Sequence, residues 1–284
     1  MKRVTEEDFI IERVKRTKPS TMAKYHYHED YEIYYLLGGE RTYYIENRSY
    51  DLKKGCLLFI SKNDIHKTVD RAGPEHERML VYVKDSYVEA CGGADQYAFL
   101  MTPFHGTTKM LELPMAEQSY VEQLLFQLEQ EYAEADRPGR DASIGALLVQ
   151  LLVFAARRMA EQPARPSPGG AGDAKFAEII AYCNEQYDKP LRLDTIASRF
   201  YISPYHFARL FKKKTGFTFT EYLNTVRIRE AQRLIRETRH KIIQVAGLVG
   251  FANVSHFNRK FKEVTGMSPL EYRKMVKRPA ALVD

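Results

Sequence analysis

Between residues 22 and 115 the apolar positions fall in short runs: Tyr31 to Leu37, Thr42 to Glu46, Leu57 to Ser61, His66 to Val69 and Met79 to Val83. Turn-forming stretches such as Leu37-Gly38-Gly39 and Lys53-Lys54-Gly55 separate them. Many short strands at close spacing predict a β-barrel or sandwich. From residue 116 the period lengthens. Val121, Leu124, Leu125, Leu128 and Tyr132 recur at spacings of three and four, the apolar stripe of an amphipathic helix over 116–135. The breaker Arg137-Pro138-Gly139-Arg140 ends it, and a second helix is predicted over 141–160, where IGALLVQLLVFAA is apolar nearly all round. Such a helix needs cover on more than one side, either from the first helix and the sheet or from a second copy of the chain. The stretch 161–174, EQPARPSPGGAGDA, has no periodic face and reads as an interdomain linker. The predicted organisation is a β-barrel over 1–115, a helical pair over 116–160 suited to dimerisation, the linker, and a helical domain over 175–284.

The helical domain matches itself at an offset of 50. Phe207, Arg209, Phe211, Lys212, Thr215, Gly216, Glu221 and Tyr222 recur as Phe257, Arg259, Phe261, Lys262, Thr265, Gly266, Glu271 and Tyr272, which marks a duplicated unit. Each copy reads as a short helix, a turn, and a second helix that opens at Ser203-Pro204 or near Asn253 and ends at a Thr-Gly pair. With Phe207, Leu210 and Phe211 inward, the first of these helices turns Tyr205, His206, Arg209, Lys212 and Lys213 outward. Its counterpart turns Ser255, His256, Asn258, Arg259 and Lys262 outward. Arg and Asn pair bidentately with guanine and adenine edges, so these are the faces of major-groove readers. One long helix over 218–238 joins the two units, and readers on one face of duplex DNA belong about 34 Å apart.

Charge agrees with this reading. The net charge of +6 divides unevenly, for residues 1–174 hold 22 Lys/Arg against 27 Asp/Glu and residues 175–284 hold 21 against 10. A basic half joined to an acidic half is the asymmetry of a nucleic-acid reader attached to a sensor. Disorder is excluded at 44% hydrophobic residues. The N-terminal run MKRVTEEDFIIERVKRTKP carries charges where a signal peptide needs an apolar core, so a cytoplasmic protein without membrane attachment is expected. Cys56, Cys91 and Cys183 stand in no metal or disulfide spacing and read as free thiols.

The run IIQVAGLVGFANVSHFNRKFKEVTGMSPLEYRK resembles the signature of the AraC/XylS family of bacterial transcription regulators. The resemblance rests on Ala246, Gly250-Phe251, Phe257, Phe261-Lys262, Gly266, Ser268-Pro269 and Tyr272-Arg273 and covers the last 110 residues. It implies two helix-turn-helix motifs joined by a long helix, with base contacts from Tyr205, Ala208 and Arg209 and from Ser255, His256 and Arg259. The first copy departs from the pattern, having Tyr201-Ile202 where the second has Gly250-Phe251.

In the acidic half, His26, His28 and Glu32 occupy even positions, so on a continuous strand they share one face. Adding His66 gives three imidazoles and a carboxylate, a set able to hold a divalent metal such as Zn, Fe, Mn or Ni. The pattern of His26, His28 and Glu32, then Gly39, Gly55 and His66, resembles the two cupin motifs, with Lys62, Asn63 and Asp64 replacing Pro-x-Gly and Asp70 at the terminal asparagine position. The fold class expected is therefore α+β multidomain: an N-terminal cupin-like β-barrel with a helical hairpin and a C-terminal all-α double helix-turn-helix domain. His26, His28, Glu32, Tyr34 and His66 are the candidate effector-binding residues. The tyrosines suit stacking on a sugar ring, and no metal is required.

The expected function is a non-enzymatic transcription regulator, more an activator than a repressor. It binds double-stranded DNA as a homodimer, recruits RNA polymerase, and responds to a small molecule, a carbohydrate by analogy. The alternative is a metal-dependent cupin enzyme fused to a DNA-binding tail, against which no further acid/base constellation is found.

Overall fold

A computed structural model describes residues 8–19, 26–46, 48–106, 109–161 and 171–276. They form two compact units, one built essentially from the chain before residue 169 and one from the chain after it.

Among the described residues the first unit has eight strands: β1 (Phe9–Arg16), β2 (Tyr31–Gly38), β3 (Arg41–Ile45), β4 (Arg48–Leu52), β5 (Cys56–Ile60), β6 (His66–Asp70), β7 (His76–Val83) and β8 (Met110–Glu112). They make a five-stranded sheet of order β1-β7-β2-β5-β8 and a three-stranded sheet of order β4-β3-β6. The alternation of side chains assigns the two faces of the larger sheet. Tyr34, Leu36, Cys56, Leu58, Ile60 and Leu80 meet Tyr43, Ile45 and Leu52 of the smaller sheet to form the barrel interior. Tyr31, Ile33, Tyr35, Leu57, Phe59, Met79, Val81 and Val83 point the other way, into a second core shared with helices.

Those helices are α1 (Asp85–Gly92), α2 (Ala94–Leu100), α3 (Thr102–His105), α4 (Met115–Ala133) and α5 (Arg140–Glu161). The stripe Val121, Leu124, Leu125 and Leu128 of α4 lies in this core with Ile144, Leu148, Leu151, Leu152 and Ala155 of α5. α5 has the length and hydropathy of a membrane-crossing segment. It is nevertheless a core helix, covered by α4, α1, α2, α3 and β8. The cover its sequence demands thus comes from within the chain. Tyr35 donates to Glu122 of α4 at 2.9 Å and ties the sheet to the helical layer.

Three features of this unit depart from the sequence reading. β1 lies before residue 22, because only Phe9 and Ile11 of its length are buried and its charged half masks the alternation. β4 and β8 are also strands, the first showing a single buried residue and the second only three residues long. Residues 85–105, expected as β structure, are α1 to α3, each too short to display a helical stripe.

The second unit is helical: α6 (Ala171–Glu185), α7 (Leu193–Arg199), α8 (Pro204–Thr215), α9 (Phe219–Glu237), α10 (Ile242–Leu248), α11 (Val254–Thr265) and α12 (Pro269–Val276). The linker expected over 161–174 is shorter than that, since α5 runs through Glu161 and α6 begins at Ala171. The rest of the expected linker, 162–170, lies outside the described residues.

The duplication is reproduced bond by bond. Phe211 stacks edge-on to Tyr222 at 5.5 Å and Phe261 to Tyr272 at 5.7 Å. Thr215 donates to the Phe211 carbonyl and Thr265 to the Phe261 carbonyl, both at 2.8 Å. Thr218 with Glu221 forms a capping box at the start of α9, and Ser268 with Glu271 exchanges the same pair of bonds before α12.

Candidate functional site

The reading helices α8 and α11 are fixed at both ends. Ser203 Oγ accepts from the His206 amide at 3.2 Å, and Asn253 Oδ1 accepts from the His256 amide at 3.0 Å, so each helix opens on an N-cap. Each closes on a left-handed glycine, Gly216 at φ 74° and Gly266 at φ 80°, whose amides donate to the Lys212 and Lys262 carbonyls. Phe207 and Phe211, and likewise Phe257 and Phe261, are wholly buried beneath. This sets the azimuth of the opposite face. Tyr205, His206, Arg209 and Lys212 are exposed on α8, with Ala208 half-buried, and Ser255, His256, Asn258, Arg259 and Lys262 are exposed on α11. Nine of the ten DNA-contact candidates are therefore exposed, and Ala208, like Leu210, is half-buried. Arg209 and Arg259 make no ion pair among the described residues, which leaves both guanidiniums available. Burial, then the charges of Arg259 and Lys260, lowers the His256 pKa, so its ring stays neutral with one donor and one acceptor for a base edge.

The turn before each reading helix is alike despite the sequence difference. α7 ends at Phe200 (φ −98°, ψ 12°) and α10 at Val249 (φ −94°, ψ 12°). The next residue is left-handed in both, Tyr201 at φ 53° and Gly250 at φ 84°. Ile202 and Phe251 then donate back to the Ala197 and Ala246 carbonyls, both at 2.9 Å.

In the first unit the candidate effector residues converge at one end of the barrel interior. Glu32, first inward residue of β2, is 1% exposed and His66, opening β6, is 0% exposed. Tyr43 of β3 donates to Glu32 Oε1 at 2.9 Å, His28 Nε2 lies 3.0 Å from Oε2, and His66 Nε2 lies 3.5 Å from the same oxygen. The residues come together by a different route from the one expected. β2 begins only at Tyr31, and His28 lies in the bend before it, so strand alternation does not align His26 and His28 with Glu32. The bend is instead held by His28 Nδ1, which donates to the Asp30 carbonyl at 2.8 Å, and by the Asn63 amide, which donates to the His28 carbonyl at 2.8 Å. His66 Nδ1 donates to the Asp64 carbonyl at 2.8 Å. One ligand atom from each of His26, His28, Glu32 and His66 falls within 4.8 Å of the others.

Burial alone would raise the Glu32 pKa, but the hydrogen bonds and charges of His28 and His66 outweigh it and hold the carboxyl well below the usual range. For His28, burial works downward and is outweighed by the hydrogen bond and charge of Glu32, so its pKa is raised. Tyr34 does not join this group. It is fully buried deeper in the barrel, its ring 5.0 Å from that of Tyr43. Gly39, at φ 85°, has no room for a side chain, because a Cβ there would lie 2.3 Å from the Glu75 carbonyl and 2.9 Å from His76. Cys56, Cys91 and Cys183 are free.

A β domain with an interior polar cluster, joined in one chain to two duplicated reading helices, defines a transcription regulator with a ligand-binding sensor and a DNA-binding double helix-turn-helix. Residues 11–152 match the AraC-like ligand binding domain and residues 196–275 match the helix-turn-helix domain HTH_18. The chain belongs to the AraC family of transcriptional regulators. It is similar to the transcriptional activator RhaS of Pectobacterium carotovorum, 24% identical over 94% of this chain and 95% of that one. It is also similar to the transcriptional regulator YfiF of Bacillus subtilis, 25% identical over 89% of this chain and 79% of that one. Among solved structures it aligns with ToxT of Vibrio cholerae at a TM-score of 0.42 and 16% identity, over 98% of this chain and 100% of that one.

Proposed function

We propose that the protein is a cytoplasmic, homodimeric transcription activator, without catalytic turnover, that recruits RNA polymerase when a carbohydrate-class effector occupies its barrel. The observation that carries the DNA half is the pair of reading faces, capped, anchored and exposed in the same way in both copies. Arg209, Arg259 and Asn258 are assigned to base edges, Lys212 and Lys262 to phosphates. Met115 (83% exposed) and Tyr120 (41%) on the outer face of α4 are assigned to the dimer contact, which brings a second pair of readers to the promoter. The activator role is supported by the likeness to RhaS. The effector is assigned to the barrel interior, whose polar side chains, among them His28, Glu32 and His66, suit ligand hydroxyls. Selection of bound sequences from a random duplex pool, followed by transcription from the selected promoter with and without candidate sugars, tests the reading. Binding without sequence preference, or transcription that ignores deletion of residues 1–160, refutes it.

A second reading is favoured by one observation: His28 and His66 each give Nδ1 to a backbone carbonyl. In the neutral rings that bond puts the proton on Nδ1 and leaves Nε2 able to ligate a metal held beside Glu32, the orientation that metal-ligating histidines take. With His26, the donor set fits a divalent transition metal. Metal analysis of protein purified without chelator tests this. Stoichiometric metal that is lost in Glu32→Gln supports it, and a metal-free protein of full activity rejects it.

A further inference from the structure

The barrel interior holds a second polar cluster, toward the opposite end of the strands from Glu32. Leu36 of β2 faces Arg78 of β7, and Arg41 of β3 faces Asp70 of β6. Four residues separate Glu32 from Leu36, and four separate His66 from Asp70, a run of about 13 Å at the rise of a strand. Arg41 is wholly buried, giving Nε to Thr68 at 3.1 Å and Nη1 to Asp70. The Arg78 guanidinium stands 5.8 Å from the Tyr34 ring centre. Glu77, its neighbour on β7, points away and pairs with Arg13 at 2.6 Å. Arg41 is thus paired with a carboxylate, and Arg78 makes no ion pair among the described residues.

Two buried atoms of this cluster, Arg78 Nε and His76 Nε2, have no hydrogen-bond partner among the described residues, and the buried Tyr34 Oη has only the Arg78 guanidinium beside it. Tyr34 is 0% exposed and His76 3%. Orphaned polar atoms are few in a folded interior because each forfeits its hydration, and their gathering here calls for a ligand. Their chemistry specifies it. Tyr34 and Arg78 Nε are donors. His76 gives Nδ1 to the Pro74 carbonyl at 3.1 Å, which leaves Nε2 an acceptor in the neutral ring. Burial and the charges of Arg41 and Arg78 keep that ring neutral.

We propose that the barrel effector is a hydroxy acid of the sugar-acid class, its carboxylate taken by Arg78 and Tyr34 and one of its hydroxyls donated to His76. This rests on the reading that the effector sits in the barrel, and it adds that the ligand is an anion. Arg41, held by Asp70 and Thr68, is a positioning residue that supplies the field.

The test is a thermal-shift and calorimetric comparison on the full chain. Galacturonate, glucuronate and gluconate are set against galactose and glucose, and acetate against chloride at equal ionic strength. A sugar acid is expected to raise the melting temperature where its neutral parent does not, and acetate to give a smaller rise. Arg78→Met is expected to weaken the acid roughly ten- to hundredfold, the loss of one charge-assisted hydrogen bond, and to abolish the acetate effect. Tyr34→Phe removes only the hydroxyl. It is expected to weaken the acid while leaving the ligand-free protein at least as stable as wild type. Neutral sugars binding as well as the acids would overturn the anion assignment and keep the barrel as sensor. Acids whose affinity is untouched by either variant would place the ligand away from Arg78 and Tyr34 and overturn this assignment. An acetate effect absent from wild type, with no acid bound, would overturn the anion assignment alone.

Discussion

Replacing Tyr201 with glycine is expected to stabilise the C-terminal unit. Tyr201 and Gly250 hold the same place in the two helix-turn-helix copies, one residue beyond a helix end of nearly identical backbone angles, and both are left-handed. An L-residue there costs about 1–2 kcal/mol against glycine. The Tyr201 side chain is 92% exposed, so its removal sacrifices almost no buried area. Glycine frees the unfolded chain by about 0.4–1 kcal/mol. The difference favours Tyr201→Gly by roughly 0.5–1 kcal/mol. The reverse change in the other copy is not its mirror image. A Cβ on Gly250 would stand 2.6 Å from the Asp188 carbonyl oxygen and 2.9 Å from its carbon. That backbone is held nearby by Arg227, which donates to the Tyr187 and Lys189 carbonyls at 2.8 and 2.7 Å. Gly250→Ala therefore adds a clash to the strain and should cost about 2 kcal/mol or more. The chain has no tryptophan, so urea unfolding is followed by far-UV circular dichroism, reading the transition of the helical unit. A lower midpoint for Tyr201→Gly, or an unchanged one for Gly250→Ala, would refute the equivalence of the two turns.

Gly266→Val should destabilise the second helix-turn-helix by about 1–2 kcal/mol or more, since a β-branched residue is forced to φ 80°; unfolding midpoints measure it. Arg259→Ala should cost about 1–3 kcal/mol on the preferred site and relax one base position, whereas Lys212→Ala should weaken all sequences alike and reduce the salt slope, both read by titration against base-substituted duplexes. In chelator-treated protein, Glu32, with its lowered pKa, stabilises the fold above the ordinary carboxylate value of 4.5 and loses that contribution as pH falls through its folded pKa. His28, with its raised pKa, stabilises below 6.5 and loses its contribution as pH rises beyond. The melting temperature of the sensor unit should hence peak between those values, and Glu32→Gln should flatten the acid limb.

The two halves were not equally legible. In the helical half the chemistry repeats at fixed spacing, and a helix puts core and surface on opposite sides of one stripe, so Phe207 and Phe257 locate Arg209 and Arg259 without further information. In the sensor half the strands with strong alternation were readable, but β1 and β8 owe their existence to pairing with β7 and β5, which the sequence does not state. The convergence of His28, Glu32 and His66 was legible in its members and not in its cause, because a bend closed by backbone hydrogen bonds replaces the expected strand. The second cluster in the barrel escaped the reading altogether. Arg41, His76 and Arg78 look like ordinary surface residues until the register of β3 with β6 and of β2 with β7 turns them inward. A signal was present in retrospect: His76 and Arg78 alternate with the apolar Met79 and Val81.

The differences between the two copies bear on how the regulator reads DNA. The outward face of α11 offers His256, Asn258 and Arg259, three side chains able to donate or accept toward base edges. That of α8 offers His206 and Arg209 beside Tyr205, Ala208 and the lysines Lys212 and Lys213. A bidentate side chain discriminates its base by about 1–3 kcal/mol, while a lysine on phosphate adds affinity that salt removes and sequence does not alter. Ala208 stands where α11 has Asn258, so sharper discrimination is expected under α11 than under α8, which titration against duplexes base-substituted in each half-site measures. The strained turn is found in the same copy, at Tyr201, whose exposed ring stands just before the reading helix. If that exposed ring contacts DNA, Tyr201→Gly is expected to weaken DNA binding while it stabilises the unit, and unchanged affinity in the same titration would exclude the contact.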